Sequence, residues 1–209
     1  VPAAYDRTRS GSQLKRERLI IAAALAALTA LSWIYLLHWP MPMPGPAGVH
    51  DIQYALLTVV MWMLMMVAMM TPAVLPVVLL FHHVSRQQPA SGRLRTPAFV
   101  AGYISACLLY SAAAALLQLL LLDVGWTDAM GVVGSRSLTA TLMLLVGAYQ
   151  WLPFKSACLA HCRAPIQFLT AHYRRGTAGA WRTGLAHGSY CVGCCWLLML
   201  LLFVGGVMN

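Results

Sequence analysis

Charge is what this sequence has least of. Asp, Glu, Lys and Arg make up 9% of its 209 residues, where soluble domains carry about a quarter. That shortage excludes an ordinary soluble globule. Acid is scarcer still, with five Asp and Glu against 14 Lys and Arg. No carboxylate falls inside a run of membrane-span length, which argues against a carboxylate proton relay. The chain also lacks a Ser/His/Asp array, a phosphate-binding glycine loop and a buried acid–base pair. These absences point to binding rather than to an enzyme. The net charge of +9 comes without any stacking or groove-reading motif, so no nucleic-acid partner is expected.

Hydrophobic residues make up 60% of the chain and mean hydropathy is +0.72. The expected partner is therefore the lipid bilayer. Five apolar runs emerge, at Leu19–Leu37, Ile52–Phe81, Phe99–Leu122, Leu138–Leu152 and Leu185–Met208. The first would span about 28 Å as a helix, close to the roughly 30 Å of a hydrocarbon core. The fold class expected is all-α, a polytopic transmembrane bundle of about five spans. Residues 1–18 form a basic tail ahead of a single helical domain, 19–209. Pro72 and Pro76 interrupt the second run and predict a kink. Within the cytoplasmic segment 153–183, "RAPIQFLTAHYRR" (Arg163–Arg175) reads as a short interfacial helix.

Basic residues alternate between the loops. The tail has Arg7, Arg9, Lys15, Arg16 and Arg18, and the loop 38–51 has none. The loop 85–96 has Arg86, Arg93 and Arg95, and the loop 123–137 has Arg136 alone. The segment 153–184 has Lys155, Arg163, Arg174, Arg175 and Arg182. By the positive-inside rule the N-terminus is cytoplasmic.

Three clusters carry potential chemistry. In "CLAHC", Cys158, His161 and Cys162 share one helical face by their spacing of three and four. In "HGSYCVGCC", His187, Cys191 and Cys195 are successive steps of four, with Cys194 beside them. In "MWMLMMVAMMTP", Met61, Met65 and Met69 form one stripe and Met66 and Met70 the next. Topology places all three toward the cytoplasmic side, with the thiols at the inner mouths of the fourth and fifth spans. Lys155 and Arg163 bracket "CLAHC" and would favour thiolate, or serve only as topology anchors.

Thiolate and thioether donors select Cu(I), with zinc and iron–sulfur as competitors for thiolate. Zinc would take four donors from Cys158, Cys162, Cys191 and Cys194 or Cys195. Neither common ferredoxin spacing is present, and "CVGCC" is not a covalent-haem motif. A disulfide does not suit a reducing cytoplasm. Against all this stands packing, since cysteine and methionine also serve as plain apolar filler. Cys107 reads as such filler. His82 and His83 read as border residues, and His172 as part of a solvated interfacial turn. "HWPMPMPG" (His38–Gly45), followed by His50 and Asp51, reads as a proline-rich turn on the outer side rather than a copper site.

The motifs "MWMLMMVAMMTPAVLP" (Met61–Pro76), "YQWLPFKSACLAHCRAP" (Tyr149–Pro165) and "GLAHGSYCVGCCWLLMLLLFVGGVMN" (Gly184–Asn209) together resemble a bacterial family of predicted metal-binding integral membrane proteins, domain of unknown function 2182. The likeness runs from about residue 50 onward. It implies a metal-binding protein of the bacterial inner membrane, and a further hydrophobic segment beyond Asn209. The function expected is Cu(I) handling or delivery by Cys158, His161, Cys162, His187, Cys191, Cys194 and Cys195, with Met65, Met66, Met69 and Met70 passing the ion along the second span. The alternative is a structural or accessory subunit of a larger membrane complex, such as an oxidase, a monooxygenase or a photosynthetic assembly.

Overall fold

A computed structural model describes residues 2–38, 51–86, 92–128 and 132–205. Among them the chain is all α-helical apart from one isolated bridge between Thr127 and Val133. The helices are α1 (Pro2–His38), α2 (Ile52–Arg86), α3 (Gly92–Asp123), α4 (Arg136–Trp151), α5 (Pro153–Arg163), α6 (Pro165–His172), α7 (Thr177–Leu200) and the single turn α8 (Leu202–Gly205). Most of the proline-rich segment after His38 and the end of the chain from 206 onward lie outside the described residues.

Four helices are long and apolar enough to cross a membrane, over Lys15–His38, Ile52–Ser85, Leu94–Asp123 and Thr177–Gly205. The pair α4–α5 makes a fifth if it counts as one span broken by a bend of 65°. The break has a local cause. Leu152 is extended (φ −70°, ψ 138°) and Pro153 starts α5, which suits the residue before a proline and a proline at the first helical position. Ala164 and Pro165 repeat the device between α5 and α6.

The short helix expected from Arg163 onward is present as α6. Phe168 and Leu169 are its buried side, while Ile166 faces out. α1 runs unbroken from Pro2, so the residues read as a basic tail and the first apolar run share one helix. Its candidate span begins at Lys15 and so includes Glu17. The fifth span begins earlier than its apolar run. Gly176, at φ +83°, turns the chain and α7 starts at Thr177. Cys191 therefore lies about 21 Å into α7, midway along it rather than at its mouth.

Asp51 precedes α2 and caps it, its carboxylate accepting from Gln53 N at 2.9 Å. It remains one helix through Pro72 and Pro76. α3 packs most extensively on α7, α2 packs on α3, and α1 packs on α2. The α3–α7 seam is made of glycine. A Cβ on Gly102 would strike the Trp181 carbonyl, one on Gly184 the Phe99 carbonyl, and one on Gly188 would lie 2.6 Å from Ala106 Cβ. Small residues at spacing four bring the two backbones into contact, as membrane helices require where no side chain fits between them. Above this seam, the buried Trp62 donates from Nε1 to Gln118 Oε1 at 2.8 Å, joining α2 to α3.

Candidate metal centre

The seam decides which side chains face each other. Once Gly184 and Gly188 fix α7 on α3, the next turn of α7 carries Cys191 opposite Tyr103 and Cys107, and Met70 of α2 closes the third side. Cys191 Sγ lies 3.1 Å from Met70 Sδ, and Cys195 Sγ 3.9 Å from the same sulfur. The Tyr103 hydroxyl is 3.5 Å from Cys191 Sγ and also interacts with the Cys107 thiol. Cys191, Cys107, Met70 and Tyr103 are all buried.

The other flank of Cys191 faces α5. The Cys162 side chain interacts with both Cys191 and Cys194, and Cys158 with Cys194. Lys155 is close enough to act electrostatically on Cys194. The approach of α5 depends on Gly193, where a Cβ would sit 3.2 Å from Cys158 Sγ. Tyr149, near the end of α4, donates to the Gly193 carbonyl. The two thiol clusters read from the sequence thus meet across α5 and α7.

All six cysteines are free. Cys194 and Cys195 rest as thiols on the backbone, each donating to the Cys191 carbonyl at 3.0 Å. Among the described residues no group of three or more His, Cys, Asp or Glu side chains is arranged to hold a metal ion. The tetrahedral four-donor set of a structural zinc site is therefore not assembled there. Met70 Sδ lies within 4 Å of two thiols, so Cys191, Cys195 and Met70 form a mixed sulfur set. Three sulfurs about 2.3 Å from one ion stand roughly 4 Å apart in a plane. Met70 and Cys195 already have that spacing. Met70 and Cys191 would separate by about 1 Å, and Cys195 would leave its carbonyl. A set of thiols and a thioether is a soft-donor set.

His187 is 2% exposed and walled by Phe168, Tyr103 and Phe99, with ring centres 4.8, 6.1 and 6.3 Å away. Its buried Nδ1 has no hydrogen-bond partner among the described residues, and a buried polar atom left unpaired costs about 1–3 kcal/mol. His161 stands apart from the thiols, half-buried and stacked on Tyr190 at 4.3 Å.

The methionines divide. Met70 touches the thiols. Met65 and Met66 are buried in the core along α2, and Met69 is 44% exposed on the outer side of the bundle. A helix apolar all round gives no sign of which face turns inward. Cys107 and Tyr103 carried no motif. Their only signal was a spacing of four on a helix where Gly102 marks the close-packed face. His82, read as a border residue, is buried within the protein and bridges three helices. Its Nδ1 is 3.0 Å from Thr96 Oγ1 and its Nε2 3.2 Å from Glu17 Oε2.

Comparison with curated proteins and with solved structures finds no match to this chain. Residues 59–209, which contain every sulfur and histidine of the centre described above, match the family model PpoB2, copper chaperone, and the chain belongs to that copper chaperone family.

Proposed function

We propose that the protein is an integral protein of the bacterial inner membrane that receives Cu(I) on the thiols of α5 and α7 and delivers it to a copper-dependent partner. Cys158, Cys162 and Cys194 form the flank nearer the basic segment, and Cys191 is shared. Cys195 and Met70 form the inner flank, with His187 beside it. The carrying observation is the meeting of soft donors from three helices, Cys162, Cys191 and Met70, in a chain of a copper chaperone family. The loop distribution of Lys and Arg supports a cytoplasmic N-terminus. Donors that change hands one at a time suit delivery better than storage, and among the described residues no closed four-donor cage is assembled.

The test is Cu(I) loading of the purified protein in detergent under reducing, anaerobic conditions. Cys191→Ser with Cys195→Ser should abolish retention against a competing chelator. Met70→Leu conserves volume and should cost less than about 1.5 kcal/mol of stability, yet weaken retention clearly. Retention unchanged in both variants would sink the proposal.

A second reading draws on the exposed apolar faces of α1 and α4, where Leu19, Leu37, Leu144 and Trp151 are half or more exposed. They would serve an accessory subunit packed in a larger membrane complex. Co-migration with such a complex regardless of copper would favour that reading.

A further inference from the structure

His172 has no place in the thiol centre, and His161 stands outside it. Both rings are nevertheless set in the same way. His161 Nδ1 is 2.8 Å from the Ala157 carbonyl, and His172 Nδ1 is 3.3 Å from the Phe168 carbonyl. Each carbonyl lies four residues upstream on the same helix. A carbonyl only accepts, so each Nδ1 carries a proton, and in the neutral ring each Nε2 keeps its lone pair. Metal-ligating histidines are held in this manner, the second nitrogen donating to a carbonyl that fixes tautomer and orientation.

The rings are also braced. His161 lies flat on Tyr190, at 4.3 Å and 5°, and His172 lies on Phe168, at 4.8 Å and 14°. The two imidazoles meet edge to face, with centres 5.9 Å apart at 75°. Two imidazoles sharing one ion, at about 2.0–2.1 Å from each nitrogen, place their centres roughly 6 Å apart. Both residues are half-buried rather than sealed, on the face formed by α5 and α6. Cys162, the next residue after His161, reaches Cys191 and Cys194.

We propose that His161 and His172 form a two-imidazole receiving site for Cu(I), from which the ion passes to the Cys162 thiol. This rests on the copper-handling function proposed above. The step is ligand exchange without redox change. A Cu–N bond breaks as a Cu–S bond forms, and the Cys162 proton moves to the vacated imidazole nitrogen. Copper stays Cu(I) throughout. Imidazole suits copper while binding it less softly than thiolate, so the direction of transfer follows from the donors.

The experiment uses the full chain with all six cysteines replaced by Ser, titrated with Cu(I) and examined by X-ray absorption. A retained ion with nitrogen neighbours and imidazole outer-shell scattering is expected, weakened on the order of tenfold or more by His172→Ala. Absence of binding by the folded thiol-free chain, or binding unaffected by His172→Ala, overturns the proposal. Should the thiol-free chain fail to fold, the unmodified protein decides. Copper added beyond what the thiols hold should bring imidazole scattering, and sulfur scattering alone overturns the site. The Cys191→Ser, Cys195→Ser experiment reads the thiol centre separately, so either site can fail while the other stands.

Discussion

Gly102 and Ala101 are neighbours in the chain and turn toward different neighbours of α3. Gly102 faces α7, where a single added carbon would run into the Trp181 carbonyl and lie 2.9 Å from Leu185 N. Ala101 faces α1 and lines an apolar groove of about 710 Å³ between α1, α2 and α3. One face is set by backbone contact, the other by side chains that leave room. The candidate metal centre sits on the first face. Donors from different helices hold their spacing only if the helices cannot slide, and a seam of glycine on backbone gives that rigidity. The α1 face has no such duty. Only 6% of the most apolar stretch of α1 is buried within the protein, and lipid is the expected cover for the rest.

The difference predicts opposite responses to added bulk. Gly102→Ala should be the most damaging single change, because backbone rather than a movable side chain is in the way. We expect a loss of about 3 kcal/mol or more, seen as a lowered unfolding midpoint in detergent. Copper retention should fall as well, since α7 must move and take Cys191 with it. A Gly102→Ala protein with unchanged stability and copper content would refute the rigid-seam argument.

A smaller effect is expected where α1 is tied down. His82 joins Thr96 of α3 to Glu17 of α1. His82→Leu removes both links at a cost of roughly 1–2 kcal/mol. The loss should be local. Cross-linking between cysteines engineered on α1 and α3 should slow or become less specific, while copper retention stays as before. Equal loosening of α3 from α7 would mean the two faces are not independent.

How far all this was legible in the sequence follows from the same contrast. Distances along one helix were legible, because a spacing of three or four fixes a shared face. That is why Cys158 with Cys162, and Cys191 with Cys195, were readable as units. Which helices touch was not. It is set by Gly102, Gly184 and Gly188 acting together across α3 and α7, and no single one of them announces its partner. Cys107 and Tyr103 joined the centre only through that pairing. Met69 parted from Met70 because hydropathy does not distinguish a lipid-facing side chain from a buried one. The start of α7 was misplaced because "TAGAWRTG" is too polar to extend an apolar run, yet it is helical because Gly176 supplies the turn before it. His172 looked like a solvated turn residue because its partner, His161, lies on a different helix beyond a proline break.

The smallest expected effect is the sharpest test of the comparison. Ala101→Leu adds three carbons one residue away from Gly102, on the same helix and at nearly the same depth. Were α3 packed alike on both faces, this change would be worse than Gly102→Ala, because it adds more volume. The groove beside Ala101 is lined by Ile20, Ile21, Ala24, Leu25 and Val100 and leaves about 710 Å³ of open space. The new side chain enters space otherwise taken by lipid tails, which are as apolar as leucine, so little transfer energy is at stake. Stability should change by less than about 0.5 kcal/mol, in either direction. Copper retention should be unaffected, because neither α7 nor Met70 has to move. A loss comparable to that of Gly102→Ala, in the same unfolding experiment, would show that α1 is packed as firmly as α7.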